Sequence, residues 1–318
     1  MVDITALGEL LIDFTECGMS GNGMHLFEQN PGGAPANVLA AAAKAGHRTA
    51  FIGKVGSDMH GVFLMQTLQD AGIDTSGLIL ADDVFTTLAF VALSPSGERT
   101  FSFSRKPGAD TWLRADEVNE DIIKNTKILH IGSLSLTDEP ARGATYHAVT
   151  LAKKSGALIS YDPNYRASLW PDAESAKAQM RAMLPYVDLL KLSDEETALL
   201  TDVSDPAEAA LHLYRMGIPC VAVTLGSRGA LVCVRGKTAA VPAYPVPVAD
   251  TTGAGDAFWG GFLHMLLRSG KPPDILTLDD AVSFARWGNA AAAFCVTKRG
   301  AIHAMPSPGD ITALLGRS

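Results

Sequence analysis

A doubly wound α/β fold, a mostly parallel sheet with helices on both faces, is predicted by three features of this sequence. Apolar, β-branched runs alternate with helical patterns through almost the whole chain, as parallel strands buried beneath helices require. Each helical run closes on a glycine suited to a C-cap. Two stretches break the alternation and read as pieces of a separate, small β subdomain.

Taken in order, "ITALGELLIDF" is the first strand candidate, and residues 14–34, glycine-rich and polar, are the first break. "ANVLAAAAKAG" has helical spacing, "TAFIGKVG" is a strand and "GVFLMQTLQDAG" a helix. "FTTLAFVALSPSGERTFSFSR" reads as two alternating strands turning at Pro95-Ser96-Gly97, an antiparallel hairpin inside a parallel framework. Pattern alone lets this hairpin either join residues 14–34 over the strand ends, where open α/β sheets bind ligands, or extend the edge of the main sheet. The alternation then resumes: "KILHIGSL", "ALISYDPN", "VDLLKLS" and "CVAVTLG" as strands, "ARGATYHAVTLAKKSG" and "AEAALHLYRMG" as helices. No repeat of 20–50 residues and no low-complexity tract is present.

The chain has 318 residues, enough for one large core with a subdomain. A net charge of -8 argues against nucleic acid or an anionic membrane as partner and leaves small, soluble substrates. Cys17, Cys220, Cys233 and Cys295 form no C-x-x-C pair, so each is expected to be a buried apolar thiol in a reducing cytoplasm. The N-terminus holds Asp3 and no basic region, and the alanine-rich helix near the C-terminus contains Arg286 and Asn289; neither a signal peptide nor a membrane span is expected.

The common nucleotide motifs fail. Gly236-Lys237-Thr238 resembles the end of a P-loop, but Leu231 stands where its first glycine belongs. A dinucleotide fingerprint on Gly253 and Gly255 would need its third glycine at Phe258, which counts against a nicotinamide-dependent oxidoreductase. No H-E-x-x-H or Cys/His cluster suggests zinc. What remains is "ADTTGAGDAFWGG". Gly253 and Gly255 let backbone approach a ligand, and the N–H groups of Ala254, Gly255 and Asp256 can converge on one anionic oxygen. Asp256 beside them suits phosphoryl transfer to an alcohol: donors for the moving group, and a carboxylate for the alcohol's proton. A free aspartate, with a pKa of about 3.9, is a weak base, so its proton transfer would come late. Alone, a G-x-G-D run is more simply an N-capping aspartate. Upstream, "NPGGAPANVLAAAAKAG" places Gly32-Gly33 before a helix bearing Asn37, able to hydrogen-bond a polyol or merely to cap a glycine turn.

Together, in this order and this far apart, the two stretches resemble the two signatures of the PfkB (ribokinase-like) carbohydrate kinases, and the resemblance covers essentially the whole chain. It implies a single ribokinase-like kinase domain over 1–318 with a β-stranded lid from about 14–34 and 85–110, transferring the γ-phosphoryl group of ATP to a sugar hydroxyl. On that resemblance Asp256 is the catalytic base and Gly253, Ala254 and Gly255 the anion hole, while Asp13, Gly32, Gly33 and Asn37 bind sugar hydroxyls. "KLSDEE", with Lys191, Ser193 and Glu196, resembles an N-x-x-E segment near the triphosphate and Mg2+, Ser193 replacing the usual asparagine. "VTLGSRGA", with Thr224, Gly226 and Gly229, and "GNAAAAFCVTKRGA", with Asn289, match segments that meet the nucleotide. Asp250, Thr252 and the region around Gly300 match a monovalent cation site for K+.

"GELLIDF", "FSFSRKPGAD", "GSLSL" and "DPNYRASLW" look like the fructokinase branch. There Arg166 and Asn164 would face the transferred phosphoryl group, with Phe103 and Arg105 on the lid wall over the sugar. A 2-keto-3-deoxygluconate kinase, whose substrate needs a cationic partner that Arg105 or Arg166 could supply, and a nucleoside kinase stay open, as does a catalytically silent sugar-binding regulator, against which Asp256 counts. The resemblance also implies a homodimer through the lid, since an uncovered sheet edge needs protection.

Overall fold

The structure, a computed structural model, describes residues 1–93 and 99–316. The expected turn at Pro95-Ser96-Gly97 lies outside the described residues. In chain order the elements are β1 (Val2–Leu7), β2 (Leu11–Met19), β3 (His25–Gly32), α1 (Ala34–Lys44), β4 (Thr49–Gly56), α2 (Met59–Asp70), β5 (Ile73–Ala81), β6 (Leu88–Leu93), β7 (Arg99–Ser104), α3 (Glu120–Lys124), β8 (Thr126–Gly132), α4 (Ala141–Lys154), β9 (Leu158–Asp162), α5 (Ala173–Met183), β10 (Leu189–Ser193), α6 (Thr197–Thr201), α7 (Pro206–Arg215), β11 (Cys220–Thr224), β12 (Ala230–Val234), β13 (Lys237–Val241), α8 (Ala254–Ser269), α9 (Leu278–Cys295) and α10 (Pro308–Leu315).

The large sheet runs β13-β12-β11-β10-β9-β8-β1-β4-β5. From β11 to β5 all its pairs are parallel, and β12 and β13 add an antiparallel edge. One core on this sheet packs α1, α8 and α9, and another packs α4, α5 and α7, so β4, covered on both sides, is buried at every position. The glycines that close the helical runs, Gly46, Gly72, Gly156 and Gly217, all have positive φ, as predicted for C-caps. Gly236-Lys237-Thr238 is the β12–β13 hairpin, not a phosphate loop, with Arg235 and Gly236 both at positive φ in its turn.

Two expectations are corrected. "ITALGELLIDF" is not one strand: β1 ends at Leu7, and Gly8, Glu9 and Leu10 turn the chain into β2 of a second sheet. Gly8 makes the corner possible, since a Cβ there would lie 2.6 Å from Pro35 Cγ. The second correction is Cys17, which is exposed in β2, whereas Cys220, Cys233 and Cys295 are buried.

The second sheet has the order β3-β2-β6-β7, so the hairpin strands β6 and β7 join the strands of the 14–34 region rather than the main sheet edge. Its register lines up Asn30, Asp13, Ala89 and Phe103 in one row. Because side chains alternate across a strand, that row shares one face, and the row through Phe14 and Phe90 has the other. β1 lies between β8 and β4, and the chain leaves it for β4 on one side while β8 follows on the other. Here strand order reverses, and ligand crevices form beyond the carboxyl ends of such strands.

Candidate active site

A cavity of about 310 Å³ opens at that reversal, between the second sheet and the N-termini of α1 and α8. Asp13, Asn30 and Phe103 line it from the second sheet, Asn164 and Arg166 from the segment that follows β9, and Lys191 from β10. The run from Asp250 to Asp256 supplies another wall.

Asp256 sits in the first turn of α8, 8% exposed, and Asn37 Nδ2 donates to its Oδ2 at 2.8 Å. Helix packing explains how residues so far apart in sequence meet. Gly260 lies one turn beyond Asp256 and Ala41 one turn beyond Asn37, and a Cβ on Gly260 would stand 2.5 Å from Ala41 Cβ. The missing side chain lets α1 and α8 cross closely, and the polar pair forms one turn above the crossing. Trp259 ties α8 to the sheet, its Nε1 donating to Ser160 Oγ at 2.8 Å.

Burial first and the Asp162 carboxylate second push the Asp256 carboxyl up to about 6, against the pull of Lys191, the Asn37 hydrogen bond and Arg166. The aspartate is therefore a stronger base than the free one assumed from sequence. Asp162 and Lys191 form a buried ion pair at 2.8 Å beneath the loop. Gly255 makes room for it: a Cβ there would lie 3.0 Å from Lys191 Nζ. Lys191 thus reaches the cavity, but as Asp162's partner under the α8 turn.

Gly253 caps α8 with a φ of 77°, and a Cβ on it would be 2.7 Å from Ala301 Cβ. The sequence suggested three converging amides. Ala254 N–H instead turns to Thr251 O at 3.3 Å, which leaves the Gly255 and Asp256 amides as first-turn donors with no acceptor inside the helix. Asp250 Oδ1 accepts from Thr252 N and Oγ1 at 2.9 and 2.8 Å, and its Oδ2 from Gly300 N at 3.2 Å, so those three residues do meet.

At the other helix start, Gly33 has a φ of 123° and packs on Glu9, where a Cβ would be 2.4 Å from the Glu9 carbonyl oxygen. Gly32 is outside the cavity lining but clears room for Asp13, whose Oδ2 would lie 2.3 Å from a Cβ at that position. Asn164 holds a φ of 44°, a left-handed conformation that asparagine tolerates better than most residues. Arg166 is exposed at the cavity mouth.

Several predicted residues are not in the cavity wall. Arg105 is 5% exposed and turned away from it: Nε and Nη2 bind Asp110 Oδ2 at 2.8 and 2.7 Å, Nη1 donates to Thr137 Oγ1 at 2.9 Å and Nη2 to Leu134 O at 2.8 Å. The Pro-Gly-Ala-Asp segment is the anchor of this cluster, since Asp110 also accepts from Thr87 Oγ1 and Gly108 leaves space for that hydroxyl. Glu196 and Ser193 form a capping box, with Glu196 Oε1 also accepting from Tyr165 N at 2.6 Å. Thr224 pairs with Ser193 in register at the ends of β11 and β10, and Gly226 follows it. Asn289 is buried, with Nδ2 committed to the carbonyls of Val241 and Pro242 at 2.9 and 3.0 Å, and Gly229 packs on the same two residues. Ser193, Glu196, Thr224, Gly226, Gly229 and Asn289 all lie outside the cavity lining.

Two residues of the site escaped the sequence reading. Asp162 is the one charged residue of β9, at its end, and Glu9 is a carboxylate inside an apolar run at the corner between two sheets. A charge in such a place was the available signal. Glu9 is 2% exposed and lines the cavity, its Oε1 accepting from Ala34 N at 3.0 Å.

Comparison with known proteins gives one consistent answer. Residues 1–308 match the model of the pfkB family carbohydrate kinases. The chain is 39% identical over 318 residues to fructokinase-1 of Zea mays, covering 99% of this chain and 98% of that protein. It is 41% identical over 316 residues to probable fructokinase-5 of Arabidopsis thaliana, covering 98% and 97%. Among solved structures, fructokinase with bound ATP from Xylella fastidiosa superposes with a TM-score of 0.90 at 33% identity, covering 99% and 98% of the two chains. Fructokinase from Vibrio cholerae O395 in its fructose, ADP and calcium ion bound form gives 0.88 at 34%, covering 99% of each.

Proposed function

The chain belongs to the pfkB family of carbohydrate kinases, and we propose that it is an ATP-dependent fructokinase, converting D-fructose to D-fructose 6-phosphate. The observation that carries this reading is the placement of Asp256: buried, held by Asn37, and next to two open amides at a helix start. At neutral pH a carboxyl near 6 is ionised, yet basic enough to take the proton of a hydroxyl in contact with it. The sugar would lie against Asp13, Asn37 and the lid face, its terminal hydroxyl toward Asp256. The Gly255 and Asp256 amides, with Arg166 at the mouth, would stabilise charge on the transferring phosphoryl group. A lid closed over this cavity excludes the water that would otherwise hydrolyse ATP.

The donor set fits a magnesium nucleotide. Two open amides and an exposed guanidinium offer places for phosphate oxygens, and Mg2+, which sheds water reluctantly, would be held by those oxygens and by water and would neutralise their charge. The grouping of Asp250, Thr252 and Gly300 supports a role for K+ there. The relatives named above support fructose over a sugar acid or a nucleoside. A cytoplasmic enzyme without nucleic-acid or membrane partners suits the acidic chain, in which no described helix is long and apolar enough to cross a membrane.

The test is ADP release over fructose, other hexoses, 2-keto-3-deoxygluconate and nucleosides, in potassium and in tetramethylammonium buffer. Fructose should be preferred, potassium should raise the rate, and Asp256→Asn should lose ~10²–10⁴ in kcat. Preference for an acidic sugar overturns the substrate, equal rates in both buffers remove the potassium role, and an unimpaired variant overturns the mechanism. A homodimer through the lid is supported by its outer face, where Phe14 stacks on Phe90 and half-exposed Phe27 meets Phe90 edge-on. Mass measurement in solution should give twice the chain mass; monomer alone would defeat it.

A further inference from the structure

Two buried polar atoms of cavity-lining side chains have no partner among the described residues, Asn37 Oδ1 and Glu9 Oε2. Such atoms are costly to leave unmade, and when they face a cavity they point to a group that arrives from outside. Asn37 belongs to the sugar signature; Glu9 belongs to neither signature. Its orientation is fixed, because Oε1 is committed to the Ala34 amide and Oε2 is left over. Burial, with the Asp110 carboxylate adding to it, pushes this carboxyl up to about 7 against the pull of Glu9's own backbone amide, Arg105 and the Ala34 amide. Above that pH the carboxyl is ionised, and a buried carboxylate with one amide donor accepts readily from a hydroxyl and repels a second carboxylate.

The nearby guanidinium does not reverse that preference. Arg105 has Nε, Nη1 and Nη2 engaged by Asp110, Thr137 and Leu134, and it does not line the cavity. We propose that Glu9 contacts the substrate and sets its class, Oε2 accepting a hydrogen bond from a hydroxyl of a neutral sugar and excluding sugars that carry a carboxylate at that position. The proposal rests on the reading of the protein as a sugar kinase.

The test is Glu9→Gln, which keeps an amide oxygen for Ala34 N–H and replaces the acceptor Oε2 with a donor. On the best neutral sugar, assayed at pH 8 where Glu9 is mostly ionised, KM should rise about tenfold or more with kcat changed less, as expected for loss of a hydrogen bond to a charged group. The ratio of kcat/KM for 2-keto-3-deoxygluconate to that for the neutral sugar should rise by a similar factor, with Tm close to wild type. Unchanged KM and ratio would overturn the proposal and leave Glu9 as a cap for α1. Calorimetric titration of both proteins with fructose and with 2-keto-3-deoxygluconate, without nucleotide, separates the two readings. A wild type that binds a neutral sugar through Glu9 but transfers no phosphoryl group defeats the kinase reading alone. A wild type that binds the sugar acid more tightly than any neutral sugar defeats the Glu9 proposal.

Discussion

Helices α1 and α8 open on the same cavity from positive-φ glycines, Gly33 and Gly253, and they differ in what takes the first amide and in what stands second, Pro35 in α1 and Gly255 in α8. At α1 a carboxylate from another part of the chain, Glu9, already accepts from the Ala34 amide. At α8 the Gly255 and Asp256 amides have no acceptor inside the helix. A helix start attracts anions through its unpaired donors and its dipole, so an internal carboxylate on the first amide and a proline without an N–H at the second position both weaken that attraction at α1. On the proposed function, a borrowed carboxylate and a proline divide two similar helix starts between a neutral hydroxyl-bearing molecule and a phosphate. Reading glycine patterns alone assigns both the same affinity.

Paired glycine variants at the two helix starts should give the largest effect. Gly253→Ala forces a φ of 77° on a residue with a side chain and drives it against Ala301; Gly33→Ala does the same at 123° against the Glu9 carbonyl. Left-handed backbone costs a non-glycine residue about 1–2 kcal/mol, so each variant should lose about tenfold or more in kcat/KM. The losses should fall on different substrates: the KM for ATP and kcat at Gly253, the KM for sugar at Gly33. Steady-state kinetics varying each substrate in turn would show this, and the same pattern in both variants would break the comparison.

A smaller effect concerns stability. An aspartate ordinarily titrates at 3.8, and Asp256 is pushed up to about 6 in the fold. The stabilisation from that raised value is fully present below pH 3.8 and is lost as pH climbs through about 6, so at neutrality the ionised side chain strains the fold. Asp256→Asn removes the strain, although Lys191 loses one of the carboxylates that hold its own pKa up. The net gain should be on the order of 1 kcal/mol at pH 7.5, seen as a small rise in Tm, and should vanish near pH 4. A lower Tm at pH 7.5 would show that burial of the carboxylate is fully compensated.

The alternation of strands and helices was legible because burial on two faces leaves continuous apolar runs, and the helix-ending glycines because left-handed caps require them. The corner at Gly8-Glu9-Leu10 was hidden: its residues are flanked by apolar ones on both sides, and periodicity does not report that a chain has changed sheets. Within the site, Asp256 and Asn37 could be found because each follows a glycine turn. Asp162 and Lys191 could not be paired, since a buried ion pair between neighbouring strands leaves no local pattern. Arg105 misled for the opposite reason, its place after the hairpin suggesting a lid wall while Asp110, five residues on, holds it underneath.

Gly260 carries no functional group and touches no ligand, yet it sets how closely α1 and α8 approach. A methyl group there would lever the helices apart, and the gap would open one turn higher, between Asn37 and Asp256. The spacing of this hydrogen-bonded pair is thus written in an absent atom. Searches for active-site residues by chemistry pass over such a position, and libraries that vary only the cavity wall leave its most sensitive dimension untouched.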